Sequence, residues 1–341
     1  MDMDQIKQLI IEAKAEISKG NWGTTSKILA KAKTLLERSV LDTKGKETLT
    51  EVLVLKATAD GRRGQYRYAI ADAQKATLIA RSINNLEWEA EALRSLGHTH
   101  WVKSDIPEAI KFFDEALKKA KASGAKALIG KIKIDLGNIC AVQGQFEESR
   151  LCFLEALRIL KTTEALPELA RCHNNLGYSL LNMKQYKDAL PAFKEAMEFS
   201  DKAGNARIRT VALLGLAEGH IYLGNIAMAE ELLSTALKPL IEFDDKAAIA
   251  SAYRTYGLLY TIKKDWPKAE ANFRRALALM KVTDQKDTVG TILKALGVMY
   301  MAKGDKASAR AKLTEALEVF KKIGISYEVV NVERLLAQTR L

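Results

Sequence analysis

Residues 174–199, NNLGYSLLNMKQYKDALPAFKEAMEF, contain the pattern that decides the fold. The small residue Gly177 follows a leucine, and Ala189 and Phe193 come twelve and sixteen residues later. Apolar residues recur at helical spacing on both sides of the polar pair Lys184–Gln185, where one helix can stop and another can start. The stretch therefore predicts two amphipathic helices that are joined by a short turn.

The same pattern returns every 40 residues through most of the chain. Seven consecutive repeats hold glycine or alanine at the position of Gly177, namely Ala57, Gly97, Gly137, Gly177, Ala217, Gly257 and Gly297. Small residues at fixed points mark places where two antiparallel helices cross too closely for a large side chain. The large residue sixteen positions later is expected to fill a hole in the next repeat. One unit cannot bury its apolar faces alone, so the repeats must stack.

The order of these features resembles the tetratricopeptide repeat family: an apolar residue and glycine, an aromatic residue near the turn, then alanine, phenylalanine and alanine. The period of 40 exceeds the usual length of about 34 and is similar to the longer-repeat branch of kinesin light chains, Pins-type adaptors and bacterial Rap-type regulators. Asn174-Asn175-Leu176-Gly177 is close to a motif of those proteins. The resemblance implies an all-α, right-handed superhelical solenoid in which the first helix of each pair lines the concave side.

We expect one solenoid over residues 1–341, with about eight repeats and a C-terminal capping helix that covers the last repeat. The expected repeats are 1–44, 45–84, 85–124, 125–164, 165–204, 205–244, 245–284 and 285–324, and the capping helix is 325–341. Left-handed C-caps are expected between repeats at Asn84, Gly124, Gly204, Asp244, Asp284 and Gly324.

The composition of the chain limits where the protein can be located in the cell and which class of partner it can bind. The formal net charge is +11, but the basic residues alternate with acidic ones along the predicted helices, which argues against nucleic acid as the main ligand. The acidic start of the sequence and the absence of a long apolar run predict a cytoplasmic protein without a membrane span. The 3 cysteines have no CxxC spacing and are interpreted as reduced packing residues.

The sequence contains no arrangement that is typical of catalysis, of a cofactor or of a metal. His98 and His100 are two residues apart, so on a helix they point to different faces. The glycines recur at 40-residue spacing and follow no predicted strand, which excludes a dinucleotide-binding loop. We therefore expect a protein that is not an enzyme, with no metal and no cofactor.

A candidate binding surface follows from the helical period. In each first helix, the positions six and three residues before the small residue, and one and four after it, share one face. Ten of these positions are the candidate partner-binding residues, namely Arg94, His98, Trp101, Lys131, Asn138, Arg171, Asn174, Tyr178, Arg254 and Lys294. Lys131 and Arg171 hold the same position in consecutive repeats, so their side chains are expected one repeat apart. A groove of this kind suits an acidic peptide segment, whereas the alternative is that the charges are simply solvated.

The leading functional hypothesis is an adaptor or scaffold that binds a linear, acidic segment of a partner protein. A second hypothesis is a regulatory sensor, whose superhelix changes shape when it binds a peptide or a small effector. A third is self-assembly into a structural scaffold through a poorly covered end of the solenoid. The sequence leaves these alternatives open.

Overall fold

The chain is described by a computed structural model, which covers residues 3–242, 245–280 and 286–339. These residues form seventeen α-helices and contain no β-strand, which confirms the all-α fold. The helices are α1 Met3–Lys19, α2 Trp22–Glu37, α3 Thr43–Arg62, α4 Tyr66–Ser82, α5 Leu86–Val102, α6 Ile106–Ser123, α7 Lys126–Val142, α8 Phe146–Leu160, α9 Leu166–Asn182, α10 Tyr186–Lys202, α11 Ala206–Tyr222, α12 Ile226–Glu242, α13 Lys246–Ile262, α14 Trp266–Met280, α15 Lys286–Lys303, α16 Lys306–Ile323 and α17 Ser326–Gln338. Odd-numbered helices up to α15 are the first helices of pairs, and even-numbered helices are the second.

Most of the described turns contain a residue in the left-handed conformation, which stops one helix and lets the next begin; the turns at 38–42 and 161–165 do not. Ser104, Lys184 and Lys264 take φ angles of 68°, 60° and 57° within pairs, although they are not glycines. Beyond Lys184, the Gln185 N–H donates to the Leu180 carbonyl at 2.9 Å and satisfies a carbonyl at the end of α9. Of the C-caps expected between repeats, Asn84, Gly124, Gly204 and Gly324 have positive φ, whereas Asp244 and Asp284 lie outside the described residues.

The close helix approach that was predicted at the small residues holds four pairs together, and the residue that meets the glycine is the large one sixteen positions later in the same pair. A Cβ atom added to Gly177 would lie 2.7 Å from the ring of Phe193, which is fully buried on α10. Phe193 also approaches the next repeat, because a Cβ on Gly215 would lie 2.2 Å from the same ring. The same relation joins Gly97 to Phe113, Gly257 to Phe273 and Gly297 to Leu313, at 2.8, 2.7 and 2.7 Å.

A second close approach was not foreseen from the sequence. A Cβ on Gly130 would lie 2.5 Å from Leu160, and a Cβ on Gly290 would lie 2.7 Å from Phe320. These glycines stand seven residues before the predicted small position, where the other repeats carry residues such as Ala90. The α15–α16 pair is therefore in close contact at two levels, at Gly290 and at Gly297.

The helices group into two compact units, which are described separately. Unit 1 contains residues 1–139 and 158–163, and unit 2 contains residues 140–157 and 164–341. Within unit 2, α9 contacts α11, α11 contacts α13, and α13 contacts α15, whereas its second helices make no comparable contact with one another in the described residues. Unit 2 therefore bends with its first helices on the inside.

Unit 1 contains a buried ion network at Lys56 and Asp60. The six later repeats carry leucine or tyrosine at the position of Lys56, and histidine, cysteine, leucine or tyrosine at that of Asp60. The Lys56 ammonium lies 2.6 Å from the Asp60 carboxylate and 2.9 Å from that of Asp72, and Ser26 donates to Asp60 at 2.6 Å. Burial by itself lowers the pKa of Lys56, but the two carboxylates outweigh it and raise the pKa above the ordinary value. These charged side chains are tolerated in a buried position because the ammonium and the carboxylates neutralise and hydrogen-bond one another.

Helix α17 packs on the last pair as the expected capping helix. Val332 is fully buried among Leu293, Leu313 and Phe320 of α15 and α16. Among the described residues, no helix combines the length and the apolar character that a membrane span requires.

Replacing Gly177 with leucine tests the helix crossing. The new side chain would overlap Phe193, and overpacking of this kind costs about 1–3 kcal/mol of unfolding free energy. Urea denaturation would measure the loss. Gly23→Leu is the control, since its Cβ would meet only Arg63, at 4.0 Å; an equal loss from both variants would contradict the assigned contact.

Deleting residues 325–341 tests the cap. The deletion would expose the apolar side chains that surround Val332, so the truncated chain should melt at a lower temperature or aggregate. Thermal melting with light scattering would measure both effects. A truncated chain that stays monomeric and equally stable would refute the capping role.

Candidate peptide-binding surface

The ten predicted binding residues all lie on first helices, but they belong to different units. Unit 1 holds those of α5 and α7, namely Arg94, His98, Trp101, Lys131 and Asn138, and unit 2 holds those of α9, α13 and α15, namely Arg171, Asn174, Tyr178, Arg254 and Lys294. We call the surface formed by the first helices of unit 2 the inner face.

In unit 1, Arg94 has acidic partners within the chain. Its Nε donates to Asp135 at 2.6 Å and its Nη1 donates to Glu91 at 2.8 Å. Burial by itself lowers the pKa of Arg94, but the two carboxylates raise it further above its ordinary value. These ion pairs give Arg94 a structural role, which the sequence pattern did not indicate.

The other unit 1 candidates form an aromatic and polar cluster. The rings of His98 and Trp101 meet edge to face at 5.4 Å, and His98 Nε2 lies 3.5 Å from Arg62. His100 instead pairs with Asp105 at 3.0 Å, so the two histidines point to different neighbours, as their spacing predicts. Within the described residues, no group of three or more His, Cys, Asp or Glu could hold a metal ion. Lys131 and Asn138 lie half-buried on α7.

In unit 2, Arg171 and Asn174 stand one helical turn apart on α9. Asn174 is only 8 % exposed, and its Oδ1 has no hydrogen-bond partner among the described residues. Its Nδ2 donates to Asn175 Oδ1 at 3.2 Å. Arg171 Nε is also buried and also lacks an acceptor. One unsatisfied donor and one unsatisfied acceptor therefore lie one helical turn apart on α9.

The other two candidates of this part of the inner face are Tyr178, which packs on an aromatic ring, and Arg254, which belongs to a polar network with Glu218 and Tyr222. Tyr178 lies edge to face on Phe193 with ring centres 5.1 Å apart. Arg254 binds Glu218 of α11 with both of its terminal nitrogens, at 3.3 and 2.6 Å, and Tyr222 donates to the same carboxylate at 3.4 Å. Burial raises the pKa of Tyr178, and the charge of Glu218 raises it further. The ion pair with Glu218 holds the side chain of Arg254 in place but also neutralises its charge.

Lys294 has a comparable partner on the C-terminal helix. Its ammonium lies 2.7 and 2.6 Å from the two carboxylate oxygens of Glu328 on α17. The two side chains are 24 % and 19 % exposed, so the pair remains partly exposed to water. On the inner face, both Arg254 and Lys294 are therefore already paired, whereas Arg171 is not.

Sequence reasoning missed these acidic partners to different degrees. Glu218 occupies one of the predicted face positions, one residue after Ala217, so its pairing with Arg254 of the next repeat could have been inferred. Asp135 lies outside the four positions of that face, and Glu328 belongs to the capping helix, which has no partner in the repeat pattern. The sequence contained no comparable signal for them.

The fold can be compared with solved structures. RapI without ligand has a TM-score of 0.68 at 16 % identity, over 81 % of this chain and 98 % of that one. The Rap conjugation gene regulator of plasmid pLS20, in complex with the Phr* peptide, has a TM-score of 0.66 at 16 % identity, over 95 % and 97 %. Aspartyl phosphate phosphatase F from Bacillus subtilis has a TM-score of 0.54 at 14 % identity, over 98 % and 94 %. At these identities the likeness shows the fold alone.

The family of the chain is identified from its sequence. No curated protein matches the chain by sequence. The sequence profile of the tetratricopeptide repeat matches residues 128–202, 207–281 and 248–322, which together span more than half of the chain. Helix pairs, left-handed turns and glycine–phenylalanine contacts agree with that profile. The chain therefore belongs to the tetratricopeptide repeat family.

Proposed function

We propose that this chain is a non-catalytic adaptor, which holds a linear segment of a partner protein on the inner face of unit 2. The observation that carries the proposal is the unsatisfied pair on α9, where Arg171 Nε lacks an acceptor and Asn174 Oδ1 lacks a donor. A buried polar group without a partner costs about 1–3 kcal/mol, and such groups are rare in folded proteins. A bound segment would supply what both groups lack.

The chemistry of the two groups matches a peptide main chain. A carbonyl of the segment can accept from Arg171 Nε, and a neighbouring N–H can donate to Asn174 Oδ1. The two residues are three positions apart on one helix, so both reach the same side of α9. The half-buried ring of Tyr178 lies one turn further on and offers an apolar surface for a side chain of the segment.

The segment is acidic in this proposal because Arg171 has no anionic partner among the described residues. A carboxylate of the segment could bind the terminal nitrogens of Arg171 in addition to the contact at Nε. Arg254 and Lys294 contribute less to this preference, because Glu218 and Glu328 already neutralise them. An acidic side chain of the segment is therefore expected to bind at Arg171, rather than anywhere along the basic groove that the sequence predicted.

Two further observations support an adaptor rather than an enzyme. A solved protein with the same fold holds the Phr* peptide, so the fold can accommodate a peptide ligand. The polar groups beside the unsatisfied pair are unsuited to proton transfer near neutral pH, because Tyr178 has a raised pKa and Arg254 stays charged. Tyr178 and Arg254, the described neighbours of the unsatisfied pair, therefore suit binding better than acid–base catalysis.

A peptide array with single substitutions in the full chain tests the proposal. The array is expected to yield acidic segments that bind the wild type, and Arg171→Gln should weaken that binding by about 1.5–3 kcal/mol, or about 10- to 150-fold in Kd. Lys187→Gln is the matched control, because it removes the same charge from an exposed position on α10 of the same pair. Equal losses from the two variants would indicate diffuse attraction and contradict the proposal.

Asn174→Ala supplies a second, independent prediction. The change removes an unsatisfied buried acceptor, so binding should fall while the unfolding free energy stays level or rises by up to about 1 kcal/mol. Urea denaturation and the anisotropy of a bound array peptide would measure the two effects. A clear loss of stability with unchanged binding would mean that Asn174 has a structural role instead.

A further inference from the structure

The first turn of α17 makes contacts that its capping role does not require. Val332 and its neighbours attach α17 to α15 and α16. Tyr327, near the start of the helix, instead meets Phe146 edge to face, with ring centres 5.0 Å apart. A Cβ atom on Gly144 would lie 2.3 Å from Tyr327 Cγ, so the ring rests directly on the backbone of the turn before α8.

These contacts connect distant parts of unit 2. Residues 144–146 and Tyr327 are separated by the helix pairs from α9 to α16, and all of them belong to unit 2. The first helices of those pairs form the inner face. The contact of Tyr327 therefore links the two ends of the row of helices that carries this face.

The residue next to Tyr327 acts on the inner face itself. Glu328 holds both of its carboxylate oxygens within 2.7 Å of the Lys294 ammonium. An acidic side chain of a bound segment would make the same contact with Lys294. Glu328 therefore occupies the place of an acidic ligand group.

We propose that the first turn of α17 is an intramolecular clasp, which competes with an acidic partner segment for Lys294 and opens when that segment binds. The proposal rests on the proposed function, since it concerns regulation of the same face. One aromatic pair and one partly exposed ion pair are weak interactions, so a bound segment can displace them without unfolding α17. The buried contacts of Val332 keep the rest of the helix in place during the exchange.

Clasp variants of the full chain and a defined probe test the competition. The probe is fluorescein-labelled oligoglutamate, and its binding is measured by anisotropy at constant low salt. Glu328→Gln should tighten binding about two- to fivefold, and Tyr327→Ala, which changes no charge, about two- to tenfold. Adding Lys294→Gln to either variant should abolish the gain, because the released cation is then missing.

Glu333→Gln is the matched control. Glu333 lies on the same helix and pairs with exposed Lys321 at 3.2 Å, so the variant removes the same charge without touching Lys294. It should bind the probe like the wild type. Equal tightening by Glu333→Gln and Glu328→Gln, or no tightening by Tyr327→Ala, would overturn the clasp.

A second readout needs no ligand. Amide hydrogen exchange in residues 326–330 should be faster in Tyr327→Ala and Glu328→Gln than in the wild type or Glu333→Gln, and unchanged exchange would overturn the clasp. If oligoglutamate binds none of the proteins, competition at Lys294 is refuted. The peptide array with the Arg171 and Asn174 variants would still decide the proposed function separately.

Discussion

The close approach of helices at small residues is the constraint on which the rest of the structure depends. In unit 2 the ring of Phe193 lies between Gly177 of its own pair and Gly215 of the next first helix, at distances that leave no room for a Cβ atom. One buried ring thus fixes α9, α10 and α11 relative to one another. Because interiors are packed as densely as crystals, a displacement at this point would have to move whole helices.

The same packing decides which residues are available for binding. Once the small residues face the partner helix, the positions six and three residues before them, and one and four after them, lie on another side of the first helix, although Tyr178 still touches the edge of that contact at Phe193. In unit 2 the first helices also contact one another directly, so these positions gather on the inside of a bend. The inner face is therefore a consequence of the core, whereas the chemistry on that face is free to vary from repeat to repeat.

The difference between the repeated core and the variable inner face explains how much could be predicted from the sequence. The helix pairs, the turns and the glycine–phenylalanine contacts follow from local patterns that repeat many times, so each repeat supports the interpretation of the others. The ion pairs depend on single residues in neighbouring helices, as between Arg94 and Asp135 or between Lys294 and Glu328, and no repetition exposes them. The second close approach at Gly130 and Gly290 was missed because other repeats use slightly larger residues there. The unsatisfied atoms of Arg171 and Asn174 were beyond sequence reasoning, since satisfaction depends on every surrounding side chain.

The pairing of cations on the inner face also separates two effects of charge, namely long-range attraction and selection at short range. The net charge of +11 is carried partly by exposed lysines of the second helices, such as Lys118 on α6 and Lys187 on α10. Such charges attract an acidic partner from a distance, and salt screens them strongly. Among its described residues, the inner face instead carries the unpaired Arg171, the unsatisfied oxygen of Asn174, and the paired cations Arg254 and Lys294; in the proposed complex these groups would select a ligand by hydrogen-bond geometry. In the proposed complex, attraction and selection therefore belong to different surfaces, so added salt should slow association with the acidic segment more than it loosens the contacts at Asn174.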